Sequence, residues 1–119
     1  MLRMALVGAA GALGALARYG IGTSIGVRSF PWATLAINVV GSFLLGVVLG
    51  GPGATRWSPT ATTAVAVGFL GAFTTFSTFA FEATSMVRDD RAGVAFAYVA
   101  ASLLLGLVAS ALGFALARS

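Results

Sequence analysis

The chain has 119 residues, of which 59% are hydrophobic and 8% charged, so it carries more apolar surface than a water-soluble domain can bury and is predicted to be an integral membrane protein. Seven basic residues against three acidic ones give a net charge of +4, but the arginines are scattered singly, which argues against a nucleic-acid surface. With no cysteine and no histidine, the chain lacks the usual groups for hydrolytic or metal-dependent catalysis, so an enzyme is not expected.

Four apolar segments follow one another along the chain, with short glycine-proline or charged turns between them. They span approximately residues 2–25, 30–50, 58–87 and 92–117. Each is long enough, as a helix, to cross a hydrocarbon core of about 30 Å. The sequence therefore predicts an all-α protein with a single domain over residues 1–119, made of four transmembrane helices in the plasma membrane.

A stripe of small residues and one arginine lies on one face of the first segment. Its members recur at spacings of three and four: Gly11, Gly14, Arg18, Gly22 and Gly26. This pattern permits close approach of another helix beside a charge. Arg18 lies about 11 Å from the end of the segment by helical rise, so its guanidinium must reach the headgroups, pair, or line water. Both a snorkelling arginine and a water-lining arginine fit this position.

The second and third segments each begin with a serine and a nearby proline, which predicts the helix N-termini. Ser29 can cap the second helix, and Pro31 suits its first turn. Ser58 and Pro59 repeat the signal for the third helix.

Polar side chains recur every four residues on the second and fourth segments. The stripes are Thr34, Asn38 and Ser42 on the second segment and Tyr98 and Ser102 on the fourth, where Gly106 continues the line. Interhelical hydrogen bonds by such residues are common, so adhesion between helices is one interpretation. A path for an anion is the other, because the stripes present donors without matching acids. Asn38 suits that role best, since its amide has two donors.

The third segment is the longest, and its centre combines glycines with a run of hydroxyls. As one helix it would measure about 45 Å, which exceeds a hydrocarbon core of about 30 Å. Gly68 and Gly71 precede a Thr-Thr-Phe-Ser-Thr run whose hydroxyls compete for backbone hydrogen bonds. We therefore expect the third helix to be broken near its middle, while an intact, tilted helix is the alternative.

Phenylalanines alternate with the hydroxyls of this run. Phe73, Phe76 and Phe79 follow one another at helical spacing, and an aromatic ring carries positive potential at its edge. Ring edges can therefore face an anion, although plain packing also explains the spacing. Polar groups at hydrocarbon depth are costly and tend to be functional.

The arginines that flank the segments show no bias toward either side of the membrane. One side would carry Arg3, Arg56 and Arg118, and the other would carry Arg28, Arg88 and Arg91. Without a positive-inside signal a protein can insert in both orientations, so the sequence predicts dual topology, unless the tie arises by chance. Two oppositely inserted copies can form an antiparallel homodimer around a twofold axis in the membrane plane.

These motifs resemble the Fluc (CrcB) family of fluoride channels over nearly the whole chain. The most specific element is TTFSTF at 74–79, preceded by GFLG at 68–71 and followed by Glu82. The stretch GALGALARY, which ends in Arg18 and Tyr19, and the stretch TLAINVVGSFLLG at 34–46 are similar to the family's first and second helices.

The resemblance implies a passive fluoride exporter that relieves fluoride toxicity, built as an antiparallel, dual-topology homodimer with two pores. The pore residues it implies are Phe76, Phe79, Asn38, Thr34, Ser77, Thr78, Tyr98 and Ser102. Arg18 would make a vestibule attractive to anions. Gly71 and Thr74 would lend main-chain carbonyls to one structural sodium ion on the dimer axis. Gly106 stands where some relatives carry a hydroxyl.

Two other classes of protein share these dimensions. A small multidrug antiporter also has four helices and dual topology, but such exporters resemble one another in a membrane-embedded glutamate in the first helix. The only glutamate of this chain is Glu82. A purely structural helix bundle is the other alternative, in which the polar stripes only hold helices together.

Overall fold

The computed structural model describes all 119 residues, and its regular structure is entirely helical. The helices are α1 (Leu2–Ile25), α2 (Trp32–Gly50), α3 (Pro52–Thr55), α4 (Pro59–Thr63), a π-helical segment (Ala64–Leu70), α5 (Gly71–Phe73), α6 (Ser77–Arg88) and α7 (Ala92–Arg118). Four stretches are long and apolar enough to cross a membrane. The all-α fold with four membrane-spanning segments is therefore confirmed, and the chain is a multi-pass membrane protein.

The third membrane span runs from α4 through α6 and changes its backbone geometry twice. Its first change is the π-helical segment Ala64–Leu70, which the sequence did not predict. After α5 the helical backbone stops, and Thr74 is extended, with ψ of 159°. Helix resumes at Ser77. We call the non-helical residues Thr74–Phe76 the break.

The helix α1 lies against the first half of the third span, and glycines allow the two backbones to approach closely. A Cβ atom on Gly14 would collide with the Phe69 carbonyl, and one on Gly68 would lie 2.8 Å from the Val7 carbonyl oxygen. The predicted close approach is thus confirmed at Gly14. It does not extend to Gly22 and Gly26, where an added Cβ atom would meet no neighbouring atom within 4 Å.

A second pair of backbones meets where α2 packs along α7, the most extensive contact between helices in the chain. A Cβ atom on Gly46 would collide with the Ser110 carbonyl, and one on Gly113 would collide with the Phe43 carbonyl. Because each helix contributes a glycine, the backbones touch directly, in the way small residues permit inside membranes.

Of the two predicted serine caps, the structure contains one and lacks the other. Ser58 accepts a hydrogen bond from the Ala61 N–H at 3.1 Å, which confirms it as the cap of α4. The cap predicted at Ser29 is wrong. The residue before α2 is Pro31, whose ψ of 67° is not helical, and no side chain caps that helix. The Trp32 N–H instead bonds the Phe30 carbonyl, so the chain turns before the helix starts.

Few side chains are enclosed within the protomer. Only 16 of 119 residues are buried, and the main cluster comprises Leu35, Met86, Ala95 and Tyr98, at the contact of α2, α6 and α7. Large apolar side chains elsewhere point outward, as expected of a chain that is solvated by lipid. The small core therefore fixes α6 against α2 and α7, next to the break.

Candidate functional site

The break is held by the amide of Asn38 on α2. Asn38 Oδ1 accepts a hydrogen bond from the Thr75 N–H at 2.9 Å, and Asn38 Nδ2 donates to the Thr75 carbonyl at 3.0 Å. Gly41, one turn further along α2, leaves room for this approach, since a Cβ there would overlap the methyl group of Thr74. Asn38 therefore binds both backbone polar groups of one break residue.

The hydrogen bonds around the break leave backbone carbonyls without their helical donors. In a continuous helix the Thr75 N–H would bond the Gly71 carbonyl, but it bonds Asn38. The Thr78 N–H would bond the Thr74 carbonyl, but it bonds Thr75 Oγ1 at 3.3 Å. The carbonyls of Gly71 and Thr74 are thus released from the helical pattern, which is a property of broken membrane helices.

Arg18 on α1 binds the backbone of α5 just before the break. Its Nε donates to the Ala72 carbonyl at 3.1 Å, so the guanidinium takes the place of the Phe76 N–H, the donor a continuous helix would use. The side chain is half-buried, and it does not extend freely toward the headgroups. Arg18 also lines a wide, open cavity of about 820 Å³, which we call the vestibule.

The second cavity, which we call the groove, has a volume of about 310 Å³ and is lined by all three residues of the break. Its polar and aromatic lining includes Asn38, Ser42, Thr75, Phe76, Phe79 and Ser102. The Ser102 hydroxyl oxygen is buried and has no hydrogen-bond partner. A buried hydroxyl without a partner is uncommon and indicates a ligand or water at that position.

The phenylalanines of the groove differ in burial. Phe76 is 78% exposed, whereas Phe79 is half-buried and meets the Tyr98 ring in an edge contact with centroids 5.1 Å apart. The two phenylalanine rings lie 5.9 Å apart and are tilted by 57°. Phe79 is therefore packed against Tyr98 of α7, whereas Phe76 is exposed at the surface of the protomer.

The Glu82 carboxylate accepts hydrogen bonds from two of the predicted donors. Thr34 Oγ1 donates to one carboxylate oxygen at 3.1 Å, and the Tyr98 hydroxyl donates to the other at 2.9 Å. The premise that the polar stripes lack a matching acid is therefore wrong. It failed because helical spacing compares residues within one helix, whereas this acid comes from α6 and its donors come from α2 and α7.

The structure brings most of the predicted residues to one of the two cavities. Asn38, Phe76, Phe79, Ser102, Gly71 and Thr74 line the groove, while Arg18, Thr34 and Thr78 line the vestibule. Tyr98 is fully buried beneath Phe79, and Ser77 is exposed and lines neither cavity.

Sequence reasoning missed the position of Thr75. It is the one residue that lines both the vestibule and the groove, so the two cavities meet the chain at Thr75. The signal for it is its place at the centre of the hydroxyl run. Glu82, the only glutamate of the chain, lines the vestibule with Thr78.

Comparison with known proteins gives a consistent result over nearly the whole chain. Residues 5–114 match the family model described as CrcB-like protein, Camphor Resistance (CrcB). The fluoride-specific ion channel FluC 2 of Geobacillus kaustophilus (strain HTA426) is 45% identical over 116 residues, which cover 94% of this chain and 90% of that protein.

Two further relatives carry the same description. The fluoride-specific ion channel FluC 1 of Desulfitobacterium hafniense (strain Y51) is 47% identical, and the alignment covers 88% of this chain and 94% of that protein. The fluoride-specific ion channel FluC of Ignicoccus hospitalis (strain KIN4/I) is 43% identical, with coverage of 99% and 97%.

Proposed function

This chain belongs to the CrcB-like family, and from that premise we propose how it acts as a fluoride-specific ion channel of the plasma membrane. It is a channel and not an enzyme, because its relatives are ion channels. Passage is passive. It lets the cell lose fluoride that enters as the neutral acid and is trapped as the anion at neutral internal pH.

The observation that carries this function is the groove beside the break. It combines the Asn38 amide, the unpartnered Ser102 hydroxyl and the rings of Phe76 and Phe79 in one small space. Inside a membrane such a hydroxyl has no bulk water to bond, and a small anion is the acceptor that an O–H donor and ring edges share. Fluoride is compact and strongly hydrated, so close, uncharged donors can replace its water more fully than they can replace the water of the larger chloride ion.

The path we propose leads from the vestibule past Thr75 into the groove. Arg18, half-buried at the vestibule, makes that cavity attractive to anions. Thr34 and Thr78 continue the polar lining, with Tyr98 buried behind it and Ser77 at the outer surface of the protomer. Glu82 holds the hydroxyl protons of Thr34 and Tyr98 in defined positions, so fluoride must compete with a carboxylate for these two donors.

We propose that two oppositely oriented copies form the channel, as an antiparallel dual-topology homodimer with two pores. The groove is open to the outside of the protomer, and Phe76 is 78% exposed at its edge. A second copy would cover this polar surface, which lipid solvates poorly. The equal distribution of flanking arginines supports insertion in both orientations.

The released carbonyls of the break fit a structural sodium ion. Carbonyl oxygens are ligands that hard cations accept, and Gly71 and Thr74 each present one that has lost its helical donor. Both residues also line the open groove, where a second copy would meet the first. A sodium ion there would neutralise carbonyl dipoles from both copies and hold the two breaks together.

Fluoride flux from liposomes tests the channel function. Liposomes that contain only this purified protein should release fluoride far faster than chloride, as measured with ion-selective electrodes. Equal rates for the two anions, or no release of either, would contradict the proposal.

Replacement of the groove rings tests the pore. Phe76→Ile and Phe79→Ile should each abolish most fluoride flux while the protein still elutes as the native assembly. Phe96→Ile is the matched control, because Phe96 is 76% exposed on α7 and lines neither cavity. Unchanged flux in the two groove variants would mean that the rings only pack.

Cysteine labelling tests the orientation of the copies. The chain has no cysteine, so one introduced at either terminus is the sole target for an impermeant thiol reagent. Dual topology predicts labelling of both termini from both sides of the cell membrane. Labelling from one side alone would overturn it.

A further inference from the structure

The break lacks the residues that most often interrupt a helix, although the Thr75 hydroxyl competes for one helical hydrogen bond by accepting from the Thr78 N–H. Thr74, Thr75 and Phe76 include neither proline nor glycine, and helical residues flank them directly on both sides. Sharp interruptions of helices arise at proline, at glycine or serine pairs, at π-bulges, or where a side chain inserts into the ladder of backbone hydrogen bonds. At Thr75, the inserted side chain is that of Asn38.

Asn38 competes directly with two helical hydrogen bonds. If its amide were withdrawn, the Thr75 N–H could bond the Gly71 carbonyl, and the Thr75 carbonyl could accept from the Phe79 N–H. The Gly71 carbonyl and the Phe79 N–H both lie in the third span, so each is the ordinary helical partner of Thr75. The amide of Asn38 matches a peptide group in shape and offers one acceptor and one donor at 2.9 and 3.0 Å. It therefore satisfies Thr75 as well as a helix would, but in a non-helical conformation.

Closure of the break would alter both cavities. Thr75 lines both the vestibule and the groove, so a change in its backbone alters the lining of each. Winding residues 74–76 into a helix would also turn the Phe76 and Phe79 side chains about the helix axis, relative to the first half of the span. Each residue added to a helix contributes a rotation of about 100°.

We propose that Asn38 is a positioning residue: by binding the N–H and the carbonyl of Thr75, its amide keeps the third span open between the vestibule and the groove. The inference rests on the proposed channel function and deepens it. One Nδ2 hydrogen remains after the bond to Thr75, since an amide carries two, so the same side chain can hold the break and donate to an anion.

An amide-to-ester replacement at Thr75 separates these two roles. Incorporation of the α-hydroxy analogue of threonine at this position removes the N–H that donates to Asn38, while both donors of Asn38 stay in place. The ester also makes the Thr74 carbonyl a weaker acceptor, so flux is compared at low and high sodium concentration to separate an effect on the proposed sodium site. The loss of one net hydrogen bond should reduce fluoride flux from liposomes by about 2- to 10-fold. Unchanged flux would overturn the positioning role, because Asn38 would then act only as a donor.

An ester at Thr62 is the matched control. Its N–H bonds the Ser58 carbonyl at 3.0 Å at the start of α4, so this ester also removes one backbone hydrogen bond, but far from the break. Flux should equal that of the unmodified protein. An equal loss at both positions would reveal general weakening of the third span and would also overturn the proposal.

A distance measurement gives a readout that does not depend on conduction. Spin labels on cysteines at Val67 and Thr84, which are exposed on either side of the break, report its length when labelled chains are diluted with unlabelled ones. In Asn38→Leu, winding of the break should shorten this distance by up to about 4 Å, the difference between extended and helical rise over Thr74 and Thr75, because Phe76 already has helical backbone angles. An unchanged distance would contradict the inference.

These readouts keep the two proposals distinguishable. A protein that conducts no fluoride, but whose break shortens in Asn38→Leu, would refute the channel path and leave the positioning role intact. A protein that conducts fluoride, but whose break keeps its length in Asn38→Leu, would refute the positioning role and leave the channel path intact.

Discussion

The helix α2 makes two close contacts, and they are built in opposite ways. Along α7, Gly46 and Gly113 remove side chains so that two backbones touch. At the break, Asn38 supplies a side chain that binds a backbone directly. The first contact depends on shape alone and the second on hydrogen bonds, although both lie on the same helix.

This difference shows how a small membrane protein separates rigidity from function. A glycine contact offers no donor or acceptor, so it can hold helices together but cannot interact with an ion. A contact made by an amide leaves spare polar groups at hydrocarbon depth, where such groups are costly and usually functional. The two contacts should therefore respond differently to substitution.

The largest expected effect comes from adding one methyl group to the glycine contact. Gly113→Ala should destabilise the fold by about 1–3 kcal/mol, because the new Cβ meets the Phe43 carbonyl and neither backbone can move aside easily. Thermal unfolding in detergent, followed by size-exclusion chromatography, measures the loss.

Gly106→Ala is the control on the same helix. A Cβ there comes no closer than 3.8 Å to another group, the Ser42 hydroxyl oxygen, so the fold should tolerate it. If both variants unfolded at the same temperature, contact between backbones would not explain the role of Gly113.

An intermediate effect is expected where a hydrogen bond rather than a glycine contact joins two helices, as between α7 and α6. Tyr98→Phe removes the donor to Glu82 from a fully buried ring and should cost about 1 kcal/mol, while the fold and the ring packing remain. The midpoint of thermal unfolding should fall by a few degrees. Tyr19→Phe, on a side chain that is 70% exposed, should leave the midpoint unchanged. Equal midpoints for both variants would show that the bond to Glu82 adds no stability.

The smallest effect should come from a cap remote from both contacts. Ser58→Ala removes the hydrogen bond to the Ala61 N–H and should cost about 0.5–1 kcal/mol, with fluoride flux unchanged. Ser29→Ala should cost nothing, because α2 has no side-chain cap. The pair is compared by thermal unfolding, and greater destabilisation by Ser29→Ala would contradict the assigned helix starts.

Periodicity and composition were sufficient to predict the four spans and the close approach at Gly14, because both depend on patterns within one segment. The glycine-hydroxyl run also marked the region in which helical backbone stops after Phe73. The start of α2 was misplaced because a serine near a proline is a local signal, whereas Phe30 and Trp32 form a turn that only the folded backbone reveals.

Hydrogen bonds between helices were not predictable in this way. The pairing of Glu82 with Thr34 and Tyr98 joins three helices, and the bond of Arg18 to the Ala72 carbonyl joins two. Spacing along a sequence contains no information on which faces meet. For the same reason the sequence identified Asn38 as a donor but did not predict its bonds to Thr75.

The exposure of Phe76 at the rim of an open groove has a consequence for biogenesis. A newly inserted chain that has not met its counterpart has only an incomplete trough on its flank, with no enclosed route from one aqueous compartment to the other. In the proposed dimer, ion permeability would therefore arise only at assembly, so surplus unpaired chains would not make the host membrane leaky.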